Sequence, residues 1–517
     1  MSSSISFKPR LCHVALERPL RRSRPACKAS LLQDLVEKFV NSKSSASEEK
    51  CPEAVAWEEW IQLRGAPRQQ LTLRQCGVEG RGLVAKERIR QGTKLLQLPE
   101  NFLISSELAL KESSLLKAMQ RLPEQSATIQ GLPEWTLMAL YLVELRHWSA
   151  ATQGATSQGP GIEQPSTSDE SALHDVNGRG DGTGQRSWHQ YISVLPALPG
   201  SLLDWPPQQV DQLLAGSPLR RKAADIAEAA RKSWAEVQPL VREAEQERLV
   251  PMKLVTESTF KWALGILLTR SVLVRIQGVE KQVLIPWADF LNHDVSVTSY
   301  IQWDDQTRSI VLVTDREYQE GQQVYVSYGQ RSSGDIMLSY GFCPAPTFNP
   351  NQAYDMRVEL NPKDSFLKAK EAALLEMGMS RSMSFPLRID GFPKELVNYL
   401  AFKLYAPAQD SEIGDVARQI FLEGKLVVKG QDLRLLALSE LRGECRRALR
   451  EFPVSAEEDK ASASSLASLS SQQGTPASQE ILRLKVRKGM CAEIRLRERQ
   501  ILQRSDFIIG GQLKLRS

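Results

Sequence analysis

The order of hydrophobic patterns along the chain constrains its fold more than any other feature of the sequence. Short alternating apolar runs at residues 71–84 and 94–98 are typical of β-strands. Between about residues 105 and 265, apolar residues recur mainly at three- and four-residue spacing, which predicts helices. Strand-like runs return at residues 283–327, and helical spacing follows from about Asp364. We therefore predict an α+β fold in which a helical insertion splits one β-rich domain and an all-α domain follows.

Two stretches have a composition that does not favour a packed core. Residues 149–186 are rich in Gly, Ser, Thr and Gln, and residues 454–480 are rich in Ser and Ala. Such segments bury too little apolar surface to offset the chain entropy lost on folding, so both are predicted to be disordered. The split β-rich domain is then predicted at residues 52–345 and the helical domain at residues 350–517.

The N-terminal segment has the composition of a targeting sequence. Its first thirty residues contain seven Lys or Arg but a single acid, Glu17, and they begin with a serine cluster. This is typical of an organelle transit peptide, although a disordered basic tail has the same composition. We predict that residues 1–45 form such a segment. The formal net charge of +5 then becomes slightly negative for the rest of the chain, which argues against nucleic-acid binding.

Neither a metal centre nor a membrane span is expected. The seven cysteines form no C-x-x-C pair, and the five histidines form no H-E-x-x-H or H-x-E motif. No apolar run approaches the roughly 18 residues that a bilayer span requires.

A glycine-rich hexapeptide, Gly80-Arg81-Gly82-Leu83-Val84-Ala85, fits the dinucleotide-binding pattern G-x-G-x-x-A. A dinucleotide site needs a helix to begin at this point, but a short charged segment and the strand-like run at residues 94–98 follow instead. We therefore interpret these glycines as a turn that lets the backbone approach some other ligand closely.

Two further motifs combine polar and aromatic residues near strands. Residues 286–294 place Asp289, Asn292 and His293 directly after a strand-like run. The second motif is a pair of tyrosine segments, Tyr325-Val326-Ser327-Tyr328-Gly329 and Leu338-Ser339-Tyr340-Gly341-Phe342. Each motif alone is weak, because buried tyrosines most often pack with a satisfied hydroxyl.

In this order, the three motifs resemble the SET-domain protein methyltransferases, and more narrowly the family of the Rubisco large-subunit lysine methyltransferase. Residues 444–449, residues 456–460 and the basic segment from Ile481 are similar to the helical substrate-binding domain of that family. The resemblance implies a β-rich SET domain split by a helical insertion and followed by an all-α substrate-binding domain. It also implies a protein-lysine N-methyltransferase with S-adenosyl-L-methionine as cofactor.

The resemblance assigns roles residue by residue. Tyr340 matches the tyrosine at the methyl-transfer centre, and Arg270 matches an arginine that meets the cofactor's carboxylate. The chain departs from the family at Asp294, where serine is more common. The implied cofactor-binding residues are Glu79, Gly80, Arg81, Gly82, Arg270, Asp289, Asn292, His293 and Tyr354.

The implied partner is a protein substrate, bound by the helical C-terminal domain of a monomer in the chloroplast stroma, with the mitochondrion as the alternative location. Rubisco large subunit and fructose-bisphosphate aldolase are the implied candidates. Three alternatives stay open: a histidine target, a non-catalytic component of a plastid assembly such as the transcription complex, and nucleic-acid binding by the basic segment at residues 483–499. We interpret the charges of that segment as the solvated face of a helix that packs through Leu482, Val486, Met490 and Ile494, or as a surface for an acidic partner.

Overall fold

The computed structural model describes residues 53–76, 79–122, 125–156, 188–344, 349–467 and 476–514. They form two compact units. The first unit holds the described residues up to Asp204, together with Asp225–Gln330 and Ser339–Gly341. The second unit holds Trp205–Ala224, Arg331–Leu338 and the described residues from Phe342 onward. The predicted transit segment, residues 1–45, lies outside the described residues.

The chain passes from strands to a long run of helices and back to strands. Its first elements are α1 (Glu53–Leu63), β1 (Leu71–Gln75), β2 (Arg81–Ala85), β3 (Lys94–Pro99), α2 (Ser106–Glu112), α3 (Ser114–Met119) and α4 (Ser126–Gln130). The helical run continues with α5 (Glu134–Thr156), α6 (His189–Val194), α7 (Pro207–Leu213), α8 (Leu219–Gln246) and α9 (Glu257–Arg270). Next come β4 (Val272–Ile276), β5 (Val279–Val283), β6 (Asn292–His293), β7 (Ile301–Asp304), β8 (Ser309–Val313), β9 (Tyr325–Val326) and α10 (Ser333–Tyr340). This order confirms the predicted α+β fold with a helical insertion.

The strands of the first unit form small sheets. β1 and β2 are an antiparallel hairpin, β3, β8 and β7 form an antiparallel sheet in that order, and β6 pairs with β9 in parallel. In β1, Leu71 and Leu73 are buried while Thr72 and Arg74 are partly exposed, which is the alternation that the sequence displays. The β4–β5 hairpin was not predicted, since the sequence analysis placed the first returning strand at Val283.

Helix α9 leads directly to the candidate site and is fixed at both its start and its sides. Thr256 caps the helix through a reciprocal pair of hydrogen bonds with Thr259, which satisfies free amide groups of the first turn. Most of the helix is buried, from Phe260 to Leu268, so its hydrophobic contacts on all sides favour a single orientation. Its last residue, Arg270, is therefore held at a defined position.

The core of the first unit is rich in aromatic rings that meet edge to face. The ring of Trp57 lies 5.2 Å from that of Trp60, 5.5 Å from that of Phe290 and 6.1 Å from that of Tyr191, measured between centroids. Such pairs contribute roughly 0.5–1.5 kcal/mol each beyond the area that they bury. This cluster supports the segment around Phe290, which carries several of the predicted site residues.

The second unit is mainly helical, and it also contains two β-hairpins that the sequence analysis did not predict. The all-α expectation is refined accordingly: β10 pairs with β11, and β12 with β13. Its elements are β10 (Tyr354–Glu359), α11 (Leu367–Glu376), β11 (Ser382–Leu387), α12 (Lys394–Leu404), α13 (Ile413–Phe421), β12 (Val427–Val428), β13 (Gln431–Asp432), α14 (Leu433–Glu451), α15 (Ala456–Ala467) and α16 (Pro476–Lys514).

The predicted disorder of residues 454–480 is wrong for its first half, where α15 forms. The amide of Ser455 donates to the Glu458 carboxylate at 3.0 Å, and the amide of Glu458 donates to the Ser455 hydroxyl at 3.2 Å. These two bonds are a capping box, which starts a helix despite the low hydrophobicity that follows. In the stretch predicted as a loop at residues 149–186, α5 continues to Thr156, and residues 157–187 lie outside the described part of the chain.

The basic residues of α16 are not a uniformly solvated face, which corrects our interpretation. Arg487 and Arg495 are buried, and Arg495 binds the buried carboxylate of Asp459. The exposed basic residues of α16 include Arg483 and Lys488 in its first part and Arg504 and Lys514 toward its end. Among the described helices of the protein, none is both long enough and apolar enough to cross a membrane.

Candidate active site

The glycine-rich turn joins β1 to β2 and is held against β6 without space for a side chain. A Cβ atom on Gly82 would overlap Oε1 of Gln323 and lie 2.9 Å from Nδ2 of Asn292. Any larger residue at this position would therefore displace the side chains of Gln323 and Asn292. The hairpin register, which pairs Arg74 with Gly82, fixes the turn in that position.

The Asn292-His293 pair lies on the short strand β6. Asn292 pairs with Tyr325 and His293 pairs with Val326 of β9. Nδ2 of Asn292 donates to the Arg81 carbonyl at 3.3 Å, which joins β6 to the glycine turn. The sequence thus places two of the predicted motifs side by side in the first unit, as we expected.

Three aromatic rings lie next to one another beside this strand. The rings of His293 and Tyr328 are nearly parallel, with centroids 5.0 Å apart, and the ring of Tyr340 lies 4.4 Å from that of Tyr328 on centroids. The Tyr328 hydroxyl donates to the Leu291 carbonyl at 2.8 Å. Tyr328 therefore lies at the centre of the site, between the two residues to which the sequence analysis gave roles, and it was missed there.

Tyr340 is the last residue of α10. Gly341 follows it with a φ of +78°, the left-handed conformation that commonly ends helices. A Cβ on Gly341 would overlap the carbonyl group of Gly200. The chain therefore requires glycine after Tyr340, and this close approach fixes the end of the helix.

A buried ion pair between Arg270 and Asp289 also belongs to the candidate site. Nη1 of Arg270 lies 3.1 Å from Oδ2 of Asp289 and also donates to the Asp289 carbonyl at 3.2 Å. The Tyr191 hydroxyl donates to the same carboxylate oxygen at 2.9 Å. The Asp289 side chain is 1% exposed and that of Arg270 is 18% exposed. The Asp289 carboxylate is thus buried and fixes the Arg270 guanidinium, and its predicted contact with a cofactor stays a prediction.

The electrostatics of this pair keep the guanidinium charged. Burial opposes the charge of Arg270, but the carboxylate of Asp289 more than compensates and raises the Arg270 pKa. Burial raises the pKa of Asp289, while Arg270 and the Tyr191 hydroxyl oppose that rise. Because arginine does not lose its proton in proteins, we expect the pair to be ionic at neutral pH.

The side chain of Arg81, in the glycine turn, lies against the aromatic cluster. Its guanidinium carbon is 5.3 Å from the centroid of the Phe290 ring, and its Nη2 donates to the Val194 carbonyl. The Arg270 guanidinium approaches the same ring at 5.6 Å. Both guanidinium groups thus lie within the distance at which a cation interacts favourably with the Phe290 ring.

Two family models match the chain. The SET domain model matches residues 80–329, which include the glycine turn, β6 and Tyr328. The Rubisco LSMT substrate-binding model matches residues 361–502. The chain belongs to the SET-domain protein methyltransferases of the Rubisco LSMT-like family. Within this family, the helical domain after the SET domain is the substrate-binding domain that the sequence predicted.

Relatives and solved structures agree with this family. The chain is 23% identical over 405 residues to a protein of Nicotiana tabacum named ribulose-1,5 bisphosphate carboxylase/oxygenase large subunit N-methyltransferase, chloroplastic, covering 74% of this chain and 69% of that protein. It is 22% identical over 432 residues to the Pisum sativum protein of the same name, covering 79% and 75%. A crystal structure of the SET domain of LSMT bound to MeLysine and AdoHcy covers 90% of this chain and 93% of that chain, with a TM-score of 0.65 and 21% identity. This likeness shows the fold.

Two predicted details of the SET-domain site have different outcomes. Asp294, the departure from the family, accepts bonds at Oδ1 from the amide and hydroxyl of Ser296, at 2.8 and 2.6 Å, and so stabilises its own turn. Tyr354 belongs to the second unit, where it begins β10 opposite Leu387 and is 7% exposed in the hydrophobic core. Its place in a cofactor pocket stays a prediction.

Several functional candidates were missed at the sequence level. Tyr328 was part of a quoted motif but had no assigned role. Glu79 was expected to act through its main chain, yet its carboxylate accepts bonds from Gln323 and from the Tyr325 hydroxyl, the latter at 3.0 Å. Tyr191 lies in the helical insertion, far from every motif. A local signal existed only for Gln323, Tyr325 and Tyr328, which lie close together in the sequence around β9.

Proposed function

We propose that this chain transfers a methyl group from S-adenosylmethionine to a side-chain nitrogen of lysine in another protein. One observation carries the proposal: the glycine turn, the Asn292-His293 strand and the Tyr328–Tyr340 pair converge in a single unit with a SET fold. Segments more than 200 residues apart in the sequence meet at this site.

The residues present suit the cofactor. Main-chain groups of residues 79–82 and of β6 would hold its nucleoside part, together with the side chains of Asn292 and His293. Arg270 would bind its carboxylate, because a guanidinium offers five N–H donors and Asp289 engages only Nη1. When bound, the cofactor supplies an activated methyl group on a sulfonium, so the protein needs no metal or covalent nucleophile for the transfer.

The lysine nucleophile presents the greater chemical problem. With a pKa of about 10.4, only roughly 0.4% of lysine is neutral at pH 8. A narrow aromatic channel lowers that pKa, because burial disfavours the ammonium form. The neighbouring rings of His293, Tyr328 and Tyr340 would form one side of such a channel and align the incoming nitrogen.

The tyrosine pair orients the nucleophile more than it removes a proton. Burial, and then the neighbouring Tyr340, raise the pKa of Tyr328 far above its usual range. The Tyr328 hydroxyl is therefore protonated at neutral pH and already donates to the Leu291 carbonyl. Tyr340, the predicted catalytic tyrosine, shares the transfer centre with it.

The substrate we propose is a plastid protein in the stroma, with Rubisco large subunit and fructose-bisphosphate aldolase as candidates. Two observations support it: both plant relatives carry the word chloroplastic in their names, and the first thirty residues of this chain are basic and nearly free of acids. Recognition of the protein substrate falls to the helical C-terminal domain.

The test is transfer of a tritiated methyl group from S-adenosylmethionine to proteins of a plastid extract by the full chain. We expect label on a discrete band, and amino-acid analysis should find it on lysine. Tyr328→Phe and Tyr340→Phe should each reduce the rate at least tenfold while cofactor binding persists, since each removes only a hydroxyl.

Label on histidine would contradict the proposed target residue. Cofactor binding without label on any protein, including purified Rubisco and aldolase, would contradict the proposed activity and favour a non-catalytic role.

A further inference from the structure

The side chain of Gln323 lies between the glycine turn and β6, at the point where the two segments meet. The backbone on both sides fixes its position. Gln323 forms an isolated bridge with Val84 of β2, and the amide of Val324 donates to the Leu83 carbonyl at 2.8 Å. Two residues later, Tyr325 pairs with Asn292 across the parallel β6–β9 contact. Gln323 therefore cannot shift along either neighbour without breaking strand pairing.

Gln323 connects a carboxylate to an amide. Its Nε2 donates to Oε2 of Glu79, and its Oε1 accepts from Nδ2 of Asn292 at 3.3 Å. The Tyr325 hydroxyl donates to the same Glu79 oxygen at 3.0 Å. Both burial and the Glu79 carboxylate raise the pKa of Tyr325, so this hydroxyl keeps its proton and donates.

The chemistry of these groups fixes which atom donates and which atom accepts in each hydrogen bond. An ionised carboxylate only accepts hydrogen bonds, so Glu79 fixes Nε2 of Gln323 on its own side. Oε1 of Gln323 must then face Asn292 and can accept only from its Nδ2. This orients the Asn292 amide, which turns its Nδ2 toward Oε1 of Gln323 and toward the Arg81 carbonyl, and leaves Oδ1 as its acceptor.

We infer that Gln323 is a positioning residue for cofactor binding: it transmits the orientation set by Glu79 to Asn292 and holds the glycine turn against β6. This inference rests on the proposed function, because it assigns Gln323 a task only if S-adenosylmethionine binds between these segments. The bound cofactor would meet an Asn292 amide of fixed orientation and a turn of fixed position.

The matched test uses two neighbouring glutamines in the full-length chain. Gln323→Leu keeps the approximate volume of the side chain and removes both hydrogen bonds. Gln322→Leu is the control, because the Gln322 side chain only accepts from the Gln319 amide, at 2.8 Å, in an exposed turn. We expect Gln323→Leu to weaken S-adenosylmethionine binding roughly tenfold in a calorimetric titration, and Gln322→Leu to leave it within twofold of the wild type.

A second variant separates orientation from folding. Gln323→Glu keeps an acceptor for Asn292 but sets two carboxylates against each other. We expect weak binding at pH 8 that recovers at least fivefold by pH 5.5, because a protonated carboxyl can donate to Glu79 as the amide did. The wild type should not show this recovery, and a merely structural defect would not titrate.

The outcomes distinguish this inference from the proposed function. If the wild type does not bind S-adenosylmethionine, the proposed function is wrong and the inference has no basis. If the wild type binds and Gln323→Leu binds equally well, the inference alone is wrong. A flat pH profile for Gln323→Glu would likewise overturn the orienting role.

Discussion

Each unit of the molecule contains a buried pair of arginine and aspartate, and the two pairs differ in how many arginine nitrogens they occupy. In the second unit, Nε and Nη2 of Arg495 both bind Asp459, with Nε 3.1 Å from Oδ1, and Nη1 binds the Leu213 carbonyl. In the first unit, the hydrogen bonds of Arg270 within the described residues all use Nη1. The exposed fraction of the side chain is 6% for Arg495 and 18% for Arg270.

The comparison separates a structural ion pair from one that is suited to bind a ligand. Burying two charges is costly, so such pairs persist where further hydrogen bonds satisfy them. Arg495 has no nitrogen left for a ligand, and its pair can only hold α15 to α16. Arg270 retains donors and some exposure, while Asp289 and Tyr191 fix its direction. The same two residue types therefore serve stability in one unit and, under the proposed function, cofactor binding in the other.

The largest expected effect concerns the Arg495–Asp459 pair, in which each guanidinium nitrogen donates a hydrogen bond. Arg495→Met removes the main partner of the buried Asp459 carboxylate and leaves it only Arg499, whose Nη2 lies 3.6 Å from Oδ2. The free energy of unfolding should fall by about 3 kcal/mol. Urea denaturation followed by circular dichroism measures it. The double variant Arg495→Met/Asp459→Leu should recover most of the loss, because it removes both charges. A single variant as stable as the wild type would mean that Arg495 does not stabilise the second unit.

The second-largest expected effect compares the same substitution, arginine to lysine, at positions 270 and 495. Arg270→Lys keeps a positive charge near Asp289 but loses the planar fork that suits a carboxylate, so S-adenosylmethionine binding should weaken by roughly tenfold to a hundredfold. Arg495→Lys is the control, and it should lower the melting temperature while leaving the dissociation constant unchanged. Equal effects of the two variants on binding would remove the distinction between the pairs.

The sequence predicted the local parts of this arrangement and missed those that depend on distant partners. The glycine turn, Asn292-His293 and Tyr340 could be placed because each is a short motif and the motifs occur in a fixed order. Nothing near Asp289 indicates that its carboxylate is buried, since Tyr191 and Arg270 come from the insertion and from α9. Similarly, the basic residues of α16 are predicted from sequence to be solvated, because nothing near Arg495 in the sequence indicates that it pairs with Asp459.

One miss had a local signal. Ser455 and Glu458 have the spacing of a capping box, yet the Ser- and Ala-rich composition of residues 454–480 outweighed it in the prediction of disorder. Composition describes how much apolar surface a segment can bury by itself. It does not count the stability that α15 gains from the buried Asp459–Arg495 pair.

The smallest expected effect concerns Glu498, which lies one helical turn after Arg495 in α16. Burial raises the pKa of Glu498 to about 8 from an ordinary value of 4.5, against the hydrogen bond from Ser217 at 2.7 Å. The folded protein therefore holds this proton while the unfolded chain releases it near pH 4.5. Stability due to this group is greatest below that pH and falls as the pH rises toward 8, by at most about 1.4 kcal/mol per pH unit.

Glu498→Gln should remove that slope. Unfolding measured between pH 5 and pH 9 should give a flatter profile for the variant, with a gain over the wild type that grows toward pH 8. Parallel profiles would show that Glu498 does not titrate in this range and that the second unit tolerates its charge.

The central claim is that the first unit carries one S-adenosylmethionine site built around Arg270, Asn292 and the glycine turn. Calorimetric titration of the full chain with S-adenosylmethionine tests it most directly. We predict saturable binding of one molecule per chain, equally tight in Arg495→Lys and at least tenfold weaker in Arg270→Lys. No measurable binding by the wild type, or binding that Arg270→Lys leaves unchanged, would contradict the account.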